Sequence, residues 1–193
     1  MTRITLSPQG QRAIQQREGL VLTAYRCPAG VWTIGIGHTG RDVTPGLKIT
    51  REKAMALLAA DVRPIEDLLN DEGEWFRRSV KPYEFDALVS FIFNVGAMRY
   101  SKSTLRRLLR QGADKKEIAR QFLRWIYITN GKGEKIIAPG LARRRLGEAL
   151  QFIGYPQQLH DLGYPEELIG DAAAFLPYDK QAHALGYTQD ELP

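Results

Sequence analysis

Three residues near the start of the chain stand where they could do acid–base chemistry. Glu18 is followed after eight intervening residues by Cys27, and after five more by Thr33. From Thr33 to His38 the chain reads Thr-Ile-Gly-Ile-Gly-His, the alternation of a strand with glycines where a backbone or ligand approaches closely. A carboxyl at a helix end, facing a hairpin that carries a thiol and a hydroxyl, forms a proton donor and a water-holder. Cys27 is the only cysteine, so no intramolecular disulfide is possible and no local Cys/His metal cluster can form around it. A lone cysteine is most often a small buried apolar residue; its place in this pattern favours a role in the site. An unperturbed thiol, with a pKa of about 8.5, is mostly neutral at pH 7.

These residues need elements to hold them. Ser7-Pro8 signals a helix start, and the helix runs to about Glu18 with Gly19 as its stop. The dipole at that helix end disfavours a charged Glu18, while Arg17 and Arg26 push the other way. Residues 20–37 read as a β-hairpin turning at Pro28-Ala29-Gly30, followed by a loop through Gly46. Thr50 opens a long helix to about Asn70, its apolar residues at helical spacing and Pro64 predicting a kink near Arg63. Pro82 begins a helix that is apolar on nearly every side and ends at Gly96, which predicts burial. Ser103 or Thr104 starts the next, stopped by Gly112. Asp114 and Glu117 form a capping box for another, through about Tyr127. A polar loop, NGKGEKIIAPG, leads to a helix over 141–152 carrying Arg143, Arg144 and Arg145. The class is therefore α+β, mainly α-helical.

The 193 residues suit one domain, or one domain plus an appendage, with 44% apolar and 25% charged residues. No apolar run reaches the roughly 18 residues of a membrane span, and MTRITLSPQGQR is too polar for a signal peptide. Residues 1–154 hold 26 Lys and Arg against 15 Asp and Glu, whereas 155–193 hold one against seven. A basic body fits a polyanionic partner such as nucleic acid, an anionic membrane or the bacterial envelope, or is a solvated basic surface. The acidic extension repeats Gly-Tyr-Pro-Gln-Gln-Leu, Gly-Tyr-Pro-Glu-Glu-Leu and Gly-Tyr-Thr-Gln-Asp-Glu-Leu, too few copies for a solenoid. It is expected to pack on the body.

Glu18–x8–Cys27–x5–Thr33, set in EGLVLTAYR and TIGIGHT, resembles the T-even-phage-type lysozymes, the endolysins of glycoside hydrolase family 24. FNVG at 93–96, STLRRLL at 103–109, Trp125 and GLARRRLGEAL at 140–150 are similar to landmarks of the lambdoid-phage branch, over about residues 7–154. The resemblance implies a lysozyme-like catalytic domain over 1–154. Its small β lobe would span about 20–50, its linking helix about 50–70, and its helical lobe the remainder. It implies hydrolysis of the β-1,4 bond between N-acetylmuramic acid and N-acetylglucosamine in peptidoglycan. Glu18 would be the general acid and Thr33 would help hold the attacking water. Cys27 stands where most family members place aspartate; similar endolysins with cysteine there form a recognised variant. It would act as a thiolate, base or nucleophile, its pKa lowered by Arg26 or Arg143–Arg145, as a neutral thiol that orients water, or be the mark of an impaired enzyme; a functional Cys27 is expected. The resemblance pairs His38 with Asp61 structurally and puts Thr39, Phe93, Asn94 and Thr104 along the substrate cleft. Arg143–Arg145 would contact muramyl peptides or lipid A, or form a solvated face, with at least one arginine expected in the cleft. No metal or cofactor is implied. A monomer is expected, held in the host cytoplasm until a separate holin releases it to the periplasm and cell wall.

Two other readings compete. A lytic transglycosylase cleaves the same bond without water, but retention of Thr33 argues against it. A non-catalytic cationic protein could bind the envelope or anionic outer membrane through the basic body. Nucleic-acid binding is a poor third, since no module or aromatic-basic platform is present.

Overall fold

The computed structural model describes residues 3–27, 29–155 and 160. Helix α1 (Pro8–Glu18) starts where Ser7 Oγ accepts from the Gly10 N–H. Ser7 is itself tied to Asp86, whose Oδ1 accepts the Ser7 N–H at 3.0 Å. A Cβ on Gly10 would lie 2.6 Å from Asp86 Cγ, so the helix can cross this close only as glycine. At the other end Gly19, at φ 79°, returns its N–H to the Gln15 carbonyl and stops the helix one residue past Glu18.

The chain then forms β1 (Val21–Arg26), β2 (Trp32–Gly35) and β3 (His38–Thr39) in one antiparallel sheet of that order. Tyr25 faces Thr33, and Thr33 in turn faces Thr39. The sheet has a third strand that the hairpin reading lacks, because two residues carry too little pattern to be legible. Helix α2 (Arg51–Asn70) is capped by Thr50 and buries Ala54, Leu58, Val62, Ile65 and Leu69 along one stripe. It runs through Pro64 without a break.

The helical lobe follows with α3 (Glu74–Ser79), α4 (Pro82–Val95), α5 (Ala97–Ser101), α6 (Thr104–Arg110), α7 (Lys115–Phe122) and α8 (Pro139–Ile153). Helices α3 and α5 were not expected; at six and five residues they are too short for a periodic signal. Every residue of α4 from Glu84 to Ile92 is buried. Three of them are polar, and each has a partner. Glu84 pairs with Lys115, Asp86 holds Ser7, and the Ser90 hydroxyl donates to Glu148 at 2.8 Å. Helices α4 and α8 pack together over an aromatic cluster: Phe91 meets Phe122 at 4.9 Å and Trp125 at 5.7 Å, and Phe122 meets Phe152 at 5.6 Å.

Two boundaries need correction. Helix α7 ends at Phe122 rather than near Tyr127, because the Arg124 and Trp125 N–H groups fold back as a turn onto Gln121 and Phe122. The expected polar loop is in fact a hairpin. Strands β4 (Tyr127–Thr129) and β5 (Lys135–Ile137) pair antiparallel around a tip in which Asn130 Oδ1 accepts from the Lys132 and Glu134 N–H groups. The acidic extension, with its repeats and its expected packing, lies outside the described residues except for Tyr155 and His160.

Candidate active site

Glu18 is the last residue of α1, where a helix end aims its carboxyl outward. Its Oε1 accepts a hydrogen bond from Arg144 Nη1 of α8. Arginine has no acceptor and stays protonated, so a proton on Glu18 belongs on Oε2. That oxygen looks toward Gly37 in the tight β2–β3 turn (φ 76°), where an added Cβ would stand 3.5 Å from Oε2 and 3.6 Å from Phe93 Cε1. The small lobe therefore approaches the carboxyl with bare backbone.

The expected neighbours of Glu18 point elsewhere. Arg17 donates to Ser90 Oγ at 2.9 Å and to Gln151 Oε1 at 3.1 Å. Arg26 donates to the Gly30 carbonyl at 3.1 Å and lies 5.1 Å over the Trp32 ring. Arg144 takes their place, 126 residues away in sequence. Burial opposes its charge, but Glu148 and then Glu18 outweigh that and raise its pKa. The three consecutive arginines separate: Arg143 is exposed, Arg144 meets Glu18, and Arg145 is fully buried over the Phe91 ring. Burial lowers the pKa of Arg145, with Glu148 opposing and Arg144 reinforcing the shift.

Cys27 and Thr33 sit around the β1–β2 turn. The Cys27 N–H donates to the Val31 carbonyl at 3.0 Å, and its carbonyl accepts from Gly30 at 2.7 Å. Its thiol pKa is lowered, chiefly by a hydrogen bond from the Val31 backbone, against slight desolvation and with help from Ala29 and the Thr33 hydroxyl. Backbone dipoles, not the expected arginines, thus favour the thiolate. Thr33 is nearly buried, and its hydroxyl donates to the Val31 carbonyl at 3.1 Å. That one proton has two acceptors to choose from, the carbonyl and the sulfur.

His38 Nδ1 lies 2.8 Å from Asp61 Oδ2 on α2, which ties the small lobe to the linking helix. Its Nε2 meets Asp42 at 3.2 Å, a second partner the sequence reading lacked. Thr39 is exposed on β3, opposite Thr33. Phe93 and Asn94 end α4; Phe93 borders Gly37, and Asn94 lines a groove of about 830 Å³ with Gln16, Arg17, Arg143, Arg144 and the hairpin isoleucines. Thr104 does not join this group. It starts α6 and borders smaller hollows with Arg107 and Trp125. Among the described residues no group of three or more His, Cys, Asp or Glu is placed to hold a metal ion.

The Phage lysozyme family model matches residues 15–148, which span every element from the end of α1 into α8. The chain belongs to the phage lysozyme family. It is an enzyme of that family and degrades peptidoglycan. An endolysin of Acyrthosiphon pisum secondary endosymbiont phage 1 is 36% identical over 148 residues, 76% of this chain and 97% of that protein. The muramidase domain of SpmX from Asticaccaulis excentricus superposes with a TM-score of 0.71 at 33% identity, covering 78% of this chain and 99% of that one. An endolysin from Escherichia coli O157:H7 phage FAHEc1 gives 0.70 at 35% identity, covering 79% and 95%.

The arrangement adds Glu148 and Asp42 to the residues legible in sequence, and of the three expected arginines it is Arg144 that meets Glu18. Arg144 and Glu148 stand four apart on α8, the spacing at which helix side chains meet, so their pairing could have been read. The long-range link to Glu18 could not. Among the described residues no helix is long and apolar enough to cross a membrane.

Proposed function

We propose that the protein is a muramidase that hydrolyses the β-1,4 bond between N-acetylmuramic acid and N-acetylglucosamine, acting in host-cell lysis. One observation carries the reading: Glu18 has Oε1 tied to Arg144 and Oε2 facing Gly37 and Phe93, which suits a general acid with its proton on the outward oxygen. Glu18 gives that proton to the glycosidic oxygen as the bond from C1 breaks. Water held by Thr33 and Cys27 adds its hydroxide to C1, and its remaining proton passes to the Cys27 thiolate. Bulk water then restores both groups. Thr39, Phe93 and Asn94 line the path of the glycan, with Thr104 further out.

Residues 1–154 form the catalytic unit and 155–193 an acidic extension on it. The enzyme works as a monomer and reaches the wall after a separate holin opens the inner membrane, its basic surface touching the anionic outer membrane. The test is mass analysis of fragments released from purified Gram-negative peptidoglycan, with Glu18→Gln beside the unaltered protein. Reducing-end muramic acid that disappears in the variant is expected. Anhydro ends would make the enzyme a lytic transglycosylase, and release undiminished by the substitution would remove Glu18 from the chemistry.

A further inference from the structure

Glu148 has no part in the chemistry above, yet its carboxylate is fully buried and both oxygens are engaged. Oε1 accepts from Ser90 Oγ at 2.8 Å and from Arg144 Nε at 3.0 Å; Oε2 accepts from Arg145 Nη1. Buried ion clusters of this kind add little stability over apolar residues of the same volume, so their location is informative. This cluster lies directly behind the site.

We infer that Glu148 is a positioning residue for two substrate-facing groups at once, the Glu18 carboxyl and the Asn94 amide. Take the first arm. The Arg144 guanidinium is pinned at Nε by Glu148 and at Nη2 by the Ser90 carbonyl at 3.0 Å. Those two bonds set its plane, and Nη1 is left aimed at Glu18 Oε1. Without Glu148 the plane is free to turn about its remaining bonds, and the outward orientation of Oε2 goes with it.

The second arm runs through Arg145, whose Nη2 donates to Asn94 Oδ1. Since arginine only donates, the atom facing it is the amide oxygen, and the NH₂ group points away. Asn94 is exposed to the groove, so it offers donors there, matched to a carbonyl or carboxylate oxygen and not to a hydroxyl proton. On the muramidase reading, on which this inference rests, acetamido and lactyl oxygens of the glycan are acceptors of that kind. One buried carboxylate therefore sets where the acid points and which face Asn94 shows.

The test is a double-substitution cycle on purified peptidoglycan, reading kcat, KM and thermal stability for Glu148→Gln, Arg144→Met and the pair. Glu148→Gln is expected to lower kcat roughly tenfold or more and to raise KM several-fold, with Glu148→Asp restoring part of both. In the Arg144→Met background the same change should leave kcat within about twofold while still raising KM, because the acid arm is already cut and the Asn94 arm is not. A merely structural Glu148 would lower stability and multiply its kcat loss with that of Arg144→Met; such additivity, or an unchanged kcat in folded Glu148→Gln, overturns the inference. Should Glu148→Gln not fold, Ser90→Ala removes one donor to Glu148 with every charge kept, and the same cycle applies. Glu18→Gln runs alongside. Anhydro ends in the products overturn the muramidase reading itself, full activity in Glu18→Gln removes Glu18 from the chemistry and the Glu148 inference with it, and an additive cycle with inactive Glu18→Gln overturns only the role of Glu148.

Discussion

The two sides of the site are held by different physics. On the helical side Glu18 meets a guanidinium that is itself locked among buried charges, Arg144, Arg145 and Glu148, with Ser90 and Asn94 at its edges. On the sheet side Cys27 and Thr33 answer chiefly to backbone groups of the β1–β2 turn and to each other. The first arrangement is rigid and intolerant, because removing one ion leaves another buried without compensation. The second is local and forgiving, because a neighbouring backbone dipole survives most substitutions. On the proposed mechanism the proton donor needs the fixed geometry, whereas a water can adjust to its holder.

Breaking the comparison on its rigid side should give the largest effects. Glu18→Gln is expected to cut the rate of peptidoglycan hydrolysis by about 10³-fold, the scale of a positioned general acid, with the far-ultraviolet circular dichroism unchanged. Arg144→Met should follow. It leaves Glu148 facing one cation instead of two, so we expect about 3 kcal/mol lost from chemical denaturation together with a lower kcat. If Arg144→Met were as stable as the native chain, the buried cluster would not be the stiff half of the site.

The same contrast explains what could be read from the sequence. Helices α1, α2, α4 and α8 are announced by Ser7-Pro8, Thr50, Pro82 and the GLARRR run; α2 carries an apolar stripe long enough to fix a period, and α4 is apolar on nearly every side. Helices α3 and α5 and strands β3, β4 and β5 are too short for that, and the polar tip between β4 and β5 looks like a loop. Likewise the spacing of Glu18, Cys27 and Thr33 is legible because those residues are local. Arg144 is not, since only the packing of α8 against α4 carries it across 126 positions to Glu18. The sequence puts at least one of the three adjacent arginines in the cleft without saying which; a helix turns successive residues by about 100°, so they face three surroundings.

On the forgiving side, Cys27→Asp is expected to keep activity within about tenfold, since an aspartate carboxylate can accept the same backbone donors. The thiol itself gives a direct reading. Its pKa is lowered from the ordinary thiol value by the Val31 backbone, so the thiolate persists to more acid pH. The rate of iodoacetamide alkylation should reach its half-maximum at a lower pH in the folded protein than after unfolding in urea. A folded-state midpoint at or above the unfolded one would mean that the turn does not stabilise the thiolate.

The smallest effect belongs to the joint between the two sides. His38 on β3 meets Asp61 on α2 and Asp42 in the following loop. Burial lowers its pKa, but the hydrogen bonds and charges of Asp61 and Asp42 outweigh that and raise it above 6.5. A raised folded-state pKa contributes stability that is fully present below the unfolded value, about 6.5, and is lost as pH rises through the folded one. Asp42 runs the other way: His38 depresses its pKa below 3.8, so its contribution is present above 3.8 and disappears on further acidification. The joint is therefore tightest between about pH 4 and 6.5. Relative to His38→Asn, the native chain should gain about a degree or two in melting temperature at pH 5.5 over pH 8.5, a small shift because solvent screens the exposed Asp42, one of the two partners of His38. An equal difference at both pH values would show His38 acting as a neutral donor to Asp61. Lobe attachment would then be independent of pH, and any pH dependence of activity would have to arise within the cleft.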